Sequence, residues 1–231
     1  MQVRLFDDGA AQDCLFVLGW GNRCRHETVQ WLVDRLAKQY RVHAVELPTH
    51  ITDVQAEWVD PLQEYATDLD EFPILAHSAG GLTAAHLDAE GVTNRVYLSP
   101  WWGSDLALPD AVLGILSRLP VSKPVVPTGN LKRQYLGDLS TTQQVEDAPD
   151  AASPAFLRTV DHAQSTLPPA RDDAVAFGTL TDRIVDPRAM ARLPADRIRL
   201  YDGGHELFSS PARERHVETV LDALERGPAA L

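Results

Sequence analysis

The sequence predicts an α/β fold: a mostly parallel sheet of about seven strands flanked by helices. Short apolar runs at residues 14–18 and 174–178 are typical of strands that are buried on both faces. These runs alternate along the chain with stretches of helical periodicity, and such alternation indicates crossover connections within a parallel sheet. The chain has 231 residues, which is an ordinary length for one domain of this class.

The predicted elements follow one another regularly up to residue 100 and again from about residue 170. In the first part we predict strands at 2–6, 14–18, 41–47, 74–76 and 95–99, and helices at 28–40, at 61–71 and directly after Ser78. In the second part we predict strands at 174–178 and 197–201, and helices near 187–193 and at 211–224.

Residues 101–169 interrupt this regular alternation. Helices are predicted at 108–119 and 154–165, and between them lies a connection rich in Pro, Thr and Gly, with an acidic stretch at 146–150. Such a connection is too long for a plain crossover. We therefore predict a cap inserted at 101–169 into a core that is formed by residues 1–100 and 170–231.

The composition excludes several classes of partner. The chain carries 33 acidic and 21 basic residues, giving a formal net charge of -12, so nucleic acid and anionic membrane surfaces would be repelled. Lysine occurs only at Lys38, Lys123 and Lys132. An acidic, lysine-poor surface is typical of proteins from salt-loving organisms, but a GC-rich genome that favours arginine codons explains the same composition.

Localisation and cofactors are predicted from what the sequence lacks. It contains no run of 18 apolar residues, and the N-terminal region becomes acidic at Asp7 and Asp8, so we expect a cytoplasmic protein that does not span a membrane. Cys14 and Cys24 are too few for a disulfide framework, and the His and Cys residues do not show metal-ligand spacing. We expect no metal and no other cofactor.

The segment 72–86 carries the strongest functional motif. An apolar run ends at Ser78, and the small residues Ala79, Gly80 and Gly81 then lead into a helix. This is the pattern of a nucleophile elbow, G-x-S-x-G, with Ala76 in place of the first glycine. The alternative interpretation is a strand followed by a tight turn that holds an ordinary serine.

An acidic residue and a histidine follow Ser78 in the order that a catalytic triad of this type requires. Asp182 follows the predicted strand 174–178, and His205 follows the last predicted strand. The carboxyl ends of parallel strands share one edge of the sheet, where a histidine could activate the serine and a carboxylate could orient the histidine. Asp182 could instead form only a turn or a helix cap, with Asp186 or Asp105 in its place, and His205 could be an ordinary loop residue.

Taken together, these motifs resemble the α/β-hydrolase superfamily over nearly the whole chain. The resemblance is greatest to small cytoplasmic carboxylesterases that carry an H-G-W-G oxyanion loop, although Leu18 stands where that family has His. The matching segments are Gly19-Trp20-Gly21, Leu47-Pro48-Thr49-His50, Ala76-His77-Ser78-Ala79-Gly80-Gly81, Asp182-Arg183-Ile184-Val185 and Gly204-His205.

The resemblance implies a role for each matching residue. Ser78 would be the nucleophile, His205 the general base, and Asp182 the carboxylate that orients the histidine. The backbone N–H groups of Trp20 and Ala79 would form the oxyanion hole. The implied enzyme is a serine hydrolase of the carboxylesterase type.

The predicted substrate is a small or medium acyl ester, cleaved through an acyl-enzyme intermediate. The same triad could instead hydrolyse a thioester, a lactone or a C–C bond, or the fold could serve a non-catalytic ligand-binding protein. His77, Trp101 and Trp102 are candidate pocket residues, although His77 could be structural and the two tryptophans could anchor the cap. The only partner that we predict is the small-molecule acyl substrate, and a homodimer is left open.

Overall fold

A seven-stranded sheet lies at the centre of the computed structural model, which describes residues 1–104, 121–128 and 133–231. The described strands are β1 (Gln2–Phe6), β2 (Asp13–Val17), β3 (Arg41–Glu46), β4 (Phe72–His77), β5 (Val92–Leu98), β6 (Val126–Pro127), β7 (Ala151–Ala152), β8 (Ala174–Gly178) and β9 (Ile198–Leu200). The sheet has the order β1-β3-β2-β4-β5-β8-β9, while β6 and β7 form a separate antiparallel pair.

All neighbouring strands of the large sheet are parallel except β1, which pairs antiparallel with β3 at one edge. The register places Phe16 of β2 opposite both Ala44 and Leu75. The prediction of a mostly parallel sheet of about seven strands, flanked by helices, is therefore confirmed.

Seven α-helices are described. They are α1 (Glu27–Leu36), α2 (Asp60–Ala66), α3 (Ala79–Ala85), α4 (Arg133–Leu136), α5 (Thr142–Asp147), α6 (Pro154–Ser165) and α7 (Arg213–Arg226). A π-helical turn at Gln55–Val59 leads into α2, and 3-10 turns occupy Pro187–Arg192, Ala195–Arg197, Leu207–Ser209 and Gly227–Ala230. No helix of the described residues is long and apolar enough to cross a membrane.

Helices cover both faces of the sheet, which explains why the central strands are apolar along their whole length. Leu82 of α3 and Phe156 of α6 belong to the core on one face, and Val33 of α1 and Leu221 of α7 belong to the core on the other. Side chains alternate between the two faces along each strand, so both faces of β2 must be apolar.

The region between β5 and β8 differs most from the sequence-based expectation. The predicted helix at 154–165 is present as α6, whereas the predicted helix at 108–119 lies outside the described residues. Helix α5 lies where the sequence predicts only a connection with an acidic stretch. The Thr141 side chain caps α5 by accepting a hydrogen bond from the Gln144 N–H at 3.2 Å. The boundaries of the predicted cap, 101–169, remain a prediction.

Strand β2 and the start of helix α3 approach each other so closely that only glycine fits at residue 80. A Cβ atom added to Gly80 would lie 2.2 Å from the carbonyl oxygen of Val17. That oxygen belongs to the backbone of a central strand, which cannot move without disturbing the sheet.

We therefore expect Gly80→Ala to lower the free energy of unfolding by about 3 kcal/mol or more, at the upper end of the usual cost of overpacking. Urea denaturation would measure this loss. Gly9→Ala is the matched control, because Gly9 has a positive φ of 90° but no atom within 4 Å of an added Cβ. The control should lose only about 1–2 kcal/mol, the cost of the left-handed conformation. Equal losses in the two variants would contradict the steric explanation.

Candidate active site

Ser78 lies in the sharp turn between β4 and α3, in a backbone conformation that residues with a side chain rarely adopt. Its φ is 52° and its ψ is -116°. Three backbone hydrogen bonds fix this conformation. The Ser78 N–H donates to the Leu98 carbonyl at 3.1 Å, and the Ser78 carbonyl accepts from the N–H groups of Leu82 at 3.1 Å and Trp101 at 2.9 Å. The turn holds the serine at the carboxyl end of β4.

The loop after β8 brings Asp182 into contact with His205. Asp182 Oδ2 lies 2.8 Å from His205 Nδ1, and both side chains are buried. Asp182 Oδ1 accepts hydrogen bonds from the N–H groups of Ile184 at 2.8 Å and Val185 at 3.1 Å. The two interpretations of Asp182 are thus compatible, since one oxygen shapes the turn while the other contacts the histidine.

The Asp182–His205 pair shifts the pKa of both groups. Burial alone would lower the pKa of His205, but Asp182 first and Glu206 second oppose it, and the pKa is raised above the ordinary 6.5. Burial alone would raise the pKa of Asp182, whereas His205 and the two turn N–H groups hold it below its ordinary value. The aspartate is therefore ionised at neutral pH and accepts a hydrogen bond from Nδ1–H of the histidine.

This hydrogen bond fixes which nitrogen of His205 is free to act as a base. With Nδ1–H directed at the carboxylate, the lone pair of the neutral ring resides on Nε2. His205 Nε2 has no hydrogen-bond partner among the described residues, so no hydrogen bond joins it to Ser78. Ser78 and His205 do line the same cavity.

The loop that carries His205 is held by backbone contacts with the segment around α4. The His205 N–H donates to the Tyr135 carbonyl and the Glu206 N–H to the Leu136 carbonyl, both at 2.8 Å. On the other side of the loop, the hydroxyl of Tyr201 donates to the carbonyl of His205 at 2.9 Å. The histidine therefore sits on a loop with few free backbone groups.

The predicted oxyanion loop is braced without the histidine that the family has at position 18. The indole N–H of Trp20 donates to the Thr49 carbonyl at 2.9 Å, and the Asn22 N–H donates to the Gly19 carbonyl at 3.0 Å. The backbone N–H groups of Trp20 and Ala79 donate no hydrogen bond to any other described residue. Neither N–H group is therefore committed to another described residue; Trp20 lines the cavity, while Ala79 is fully buried.

The cavity beside Ser78 has a volume of about 760 Å³. One wall is aromatic: the ring of Trp20 stacks on Phe156 with centroids 4.5 Å apart, and Trp101 lies 6.5 Å from Trp20 and 6.0 Å from Phe156. Polar side chains also line the cavity, among them Asn22, Gln144 and Glu206.

The three candidate pocket residues lie in different surroundings. Trp101 and His77 line the cavity, and the ring of His77 lies 4.8 Å from that of His205. Trp102 does not line this cavity among the described residues. Instead, its ring packs 4.7 Å from Tyr97 and its indole N–H donates to the Gly81 carbonyl at 3.1 Å. These contacts favour the alternative in which Trp102 anchors the chain after β5 to the core.

The alternative acidic residues and the cysteines lie in other settings. The Asp186 carboxylate accepts from the backbone N–H of Arg188 and caps a 3-10 turn, and Asp105 lies outside the described residues. Burial raises the pKa of both cysteine thiols to about 12, so Cys24 is not a reactive nucleophile at neutral pH. No group of three or more His, Cys, Asp or Glu residues in the described ranges could hold a metal ion.

Sequence reasoning missed three buried polar residues of the site: Asn22, Gln144 and Glu206. Asn22 Nδ2 donates to Glu206 Oε1 at 2.8 Å, and Gln144 Nε2 contacts Glu206 Oε2. Only the position of Glu206 directly after His205 could have drawn attention to it. Asn22 and Gln144 are ordinary polar residues until the fold brings them together.

Comparison with known proteins places the chain in a family. The family model described as the alpha/beta hydrolase family matches residues 14–223, so the chain belongs to the alpha/beta hydrolase family. This membership supports hydrolysis as the class of its activity. A search of curated proteins gave no match.

Solved structures of lipases and esterases share the fold over nearly the whole chain. A monoacylglycerol lipase from Paleococcus ferrophilus is 17% identical, with 100% of both chains covered and a TM-score of 0.77. An esterase from Exiguobacterium antarcticum is 15% identical, covering 96% of this chain and 95% of its own, with a TM-score of 0.66. An esterase from a Rhodococcus species is 17% identical, covering 97% and 94%, with a TM-score of 0.62. At these identities the likeness shows the fold alone.

Proposed function

We propose that the protein is a serine hydrolase that cleaves small or medium acyl esters through an acyl-enzyme intermediate. One observation carries this proposal: a buried histidine whose Nδ1 contacts a carboxylate shares a cavity with a serine held in a rare backbone conformation. In the proposed triad Ser78 is the nucleophile, His205 the base and Asp182 the residue that orients the histidine.

In the first half-reaction His205 Nε2 takes the proton of the Ser78 hydroxyl while Ser78 Oγ bonds to the ester carbonyl carbon. The carbonyl oxygen becomes an oxyanion that the N–H groups of Trp20 and Ala79 stabilise. Losing one such donor typically costs about 2.7–4 kcal/mol of transition-state stabilisation. The C–O bond to the alcohol then breaks, and His205 gives its proton to the leaving alcohol.

In the second half-reaction water replaces the alcohol. His205 Nε2 takes a proton from the water as its oxygen attacks the acyl carbon, and then returns a proton to Ser78 Oγ as the acid leaves. The Asp182 carboxylate stabilises the imidazolium ion that forms in each half-reaction.

The cavity supports an acyl ester as the substrate class. An aromatic wall of Trp20, Trp101 and Phe156 favours an apolar acyl chain, since burying each CH₂ group contributes about 0.8 kcal/mol. Several of the similar structures are lipases or esterases, which agrees with this substrate class. We extend the same reaction to this chain.

A fluorophosphonate probe tests the nucleophile directly. We expect one covalent adduct, located on Ser78 by peptide mass spectrometry, and no adduct in Ser78→Ala. The variant should also lose ester turnover while its thermal unfolding stays close to that of the unmodified protein. A folded protein that forms no adduct would instead support a ligand-binding role for the scaffold.

The pH dependence of ester hydrolysis tests the Asp182–His205 pair. His205 must be neutral to accept a proton, so kcat/KM should fall as the pH drops through the pKa of His205, which lies above 6.5. In Asp182→Asn the raising carboxylate is gone and burial dominates, so this acidic limb should move below pH 6.5. We expect kcat to fall by about 10⁴-fold in the same variant. If the acidic limb of the kcat/KM profile does not move in Asp182→Asn, the group that titrates there is not His205.

Esters of increasing acyl length test the apolar wall. We expect kcat/KM to rise by up to about fourfold per CH₂ until the pocket is filled, which corresponds to about 0.8 kcal/mol. Leu157 lines the cavity, so Leu157→Ala should shift the optimum towards longer chains. Leu180→Ala is the matched control, since Leu180 is 70% exposed and should leave the profile unchanged. An identical shift in both variants would exclude a specific acyl pocket.

A further inference from the structure

Glu206 is a buried carboxyl group that the proposed reaction does not use. Its side chain is 1% exposed and lines the cavity next to His205. No Arg or Lys nitrogen of the described residues lies within 4.0 Å of its carboxyl group. Glu46, another buried glutamate, contrasts with it: Glu46 lies 3.6 Å from Arg4 and 3.9 Å from Arg23. An ionised carboxylate without such a partner is costly to bury.

The carboxyl group of Glu206 joins three separate parts of the chain. Its Oε1 accepts from Asn22 Nδ2 at 2.8 Å in the oxyanion loop. Its Oε2 contacts Gln144 Nε2 of helix α5 and the hydroxyl of Ser209 in the turn after the histidine loop. These contacts account for both carboxyl oxygens.

The contacts of Ser209 require a proton on Glu206. Three oxygen–oxygen contacts follow one another: Glu206 Oε2 to Ser209 Oγ, Ser209 Oγ to Thr28 Oγ1 at 3.0 Å, and Thr28 Oγ1 to Gln144 Oε1 at 2.9 Å. The amide oxygen only accepts, and the two hydroxyl groups supply one proton each. Each contact needs one proton to be a hydrogen bond, and the two hydroxyl groups supply only two. A proton on Glu206 Oε2 supplies the third.

The electrostatic surroundings agree with an uncharged carboxyl group. Burial raises the pKa of Glu206, although hydrogen bonds from Asn22, Ser209 and Gln144 and the neighbouring His205 oppose this effect. The titratable groups beside the network are His205, with Asp182 beyond it, and His77, whose Nδ1 lies 3.0 Å from Asn22 Oδ1. Arg23 donates from Nη1 to the Asn22 carbonyl at 3.0 Å, but its guanidinium pairs with Glu46 rather than with Glu206. Burial keeps the pKa of His77 well below 6.5, so His77 supplies no positive charge.

We propose that Glu206 is a positioning residue that works as a neutral carboxylic acid, joining the oxyanion loop and helix α5 to the loop of His205. This inference rests on the proposed function of that site. Through Asn22 the carboxyl group fixes the turn that presents the Trp20 N–H. Because Glu206 is neutral, the charge that raises the pKa of His205 comes from Asp182.

Protonation of Glu206 can be observed without any substrate. The infrared difference spectrum between the unmodified protein and Glu206→Gln should contain the carbonyl band of a protonated carboxylic acid at neutral pH. A carboxylate band in its place would overturn the proposal. This measurement does not depend on whether Ser78 is a nucleophile, so it separates the failure of this inference from the failure of the proposed function.

Thermal unfolding gives a second readout, with Glu46→Gln as the matched control. A neutral Glu206 takes up a proton on folding above pH 4.5, its ordinary pKa, so its contribution to stability falls as the pH rises, and Glu206→Gln lacks this loss. We expect the difference in Tm, Glu206→Gln minus the unmodified protein, to become more positive as the pH rises above 4.5. Glu46→Gln loses an ion-paired carboxylate and should have a lower Tm at neutral pH. A Tm of Glu206→Gln that falls as in the control would contradict the proposal.

Kinetics test the positioning role. The side chain in Glu206→Gln is uncharged, and it keeps the hydrogen bonds of the network if the amide group of Gln144 rotates by 180°. We therefore expect the kcat of this variant, and the acidic limb of its pH profile, to match those of the unmodified protein. Glu206→Ala releases Asn22, and we expect kcat to fall by about 10–100-fold with little change in KM. If Glu206 were ionised, Glu206→Gln would move the acidic limb to lower pH. That shift, or a kcat of Glu206→Ala equal to that of Glu206→Gln, would overturn the proposal.

Discussion

The backbone conformation of Ser78 is the constraint on which the rest of the site depends. A positive φ at a residue with a side chain costs of order 1–3 kcal/mol, and such a residue persists only where its surroundings fix it. Here three backbone hydrogen bonds fix it, and the lack of a side chain at Gly80 lets α3 begin against the carbonyl of Val17. The close contact between strand and helix therefore determines where the serine lies.

The electrostatics of the site are much simpler than the net charge of -12 would suggest. Most acidic residues are exposed, where water and salt screen them. Within the buried part of the site, Asp182 is paired with His205, and the neutral form that we propose for Glu206 adds no second negative charge. A single oriented carboxylate can then control the protonation of the histidine.

The sequence was sufficient for the features that depend on local pattern. Apolar runs and helical periodicity predicted the order of strands and helices, because each signal lies within one element. The positions of Ser78, Asp182 and His205 after predicted strands likewise indicated that they could meet at one edge of the sheet, and the structure brings Asp182 and His205 into contact. These features require only knowledge of where strands end.

The sequence was insufficient where separate segments meet. Asn22 and Glu206 are 184 residues apart, and neither has a neighbour in sequence that indicates their hydrogen bond. Trp102 directly follows Trp101, yet the two rings pack in different places because their indole groups find different partners. Helix α5 depends on the Thr141 cap and on tertiary contacts such as that of Gln144 with Glu206, which its acidic composition does not reveal.

The backbone hydrogen bonds from the loop of His205 to Tyr135 and Leu136 have a consequence for how such a chain can diversify. The segment around α4 lines the cavity and also supplies carbonyl acceptors to the loop that carries the proposed base. Replacing this segment by one of different length or direction would leave two buried N–H groups without acceptors and would release the histidine. Changes in substrate range at this segment are therefore constrained by catalysis, and new specificity is more readily reached by exchanging single side chains than by exchanging the whole segment.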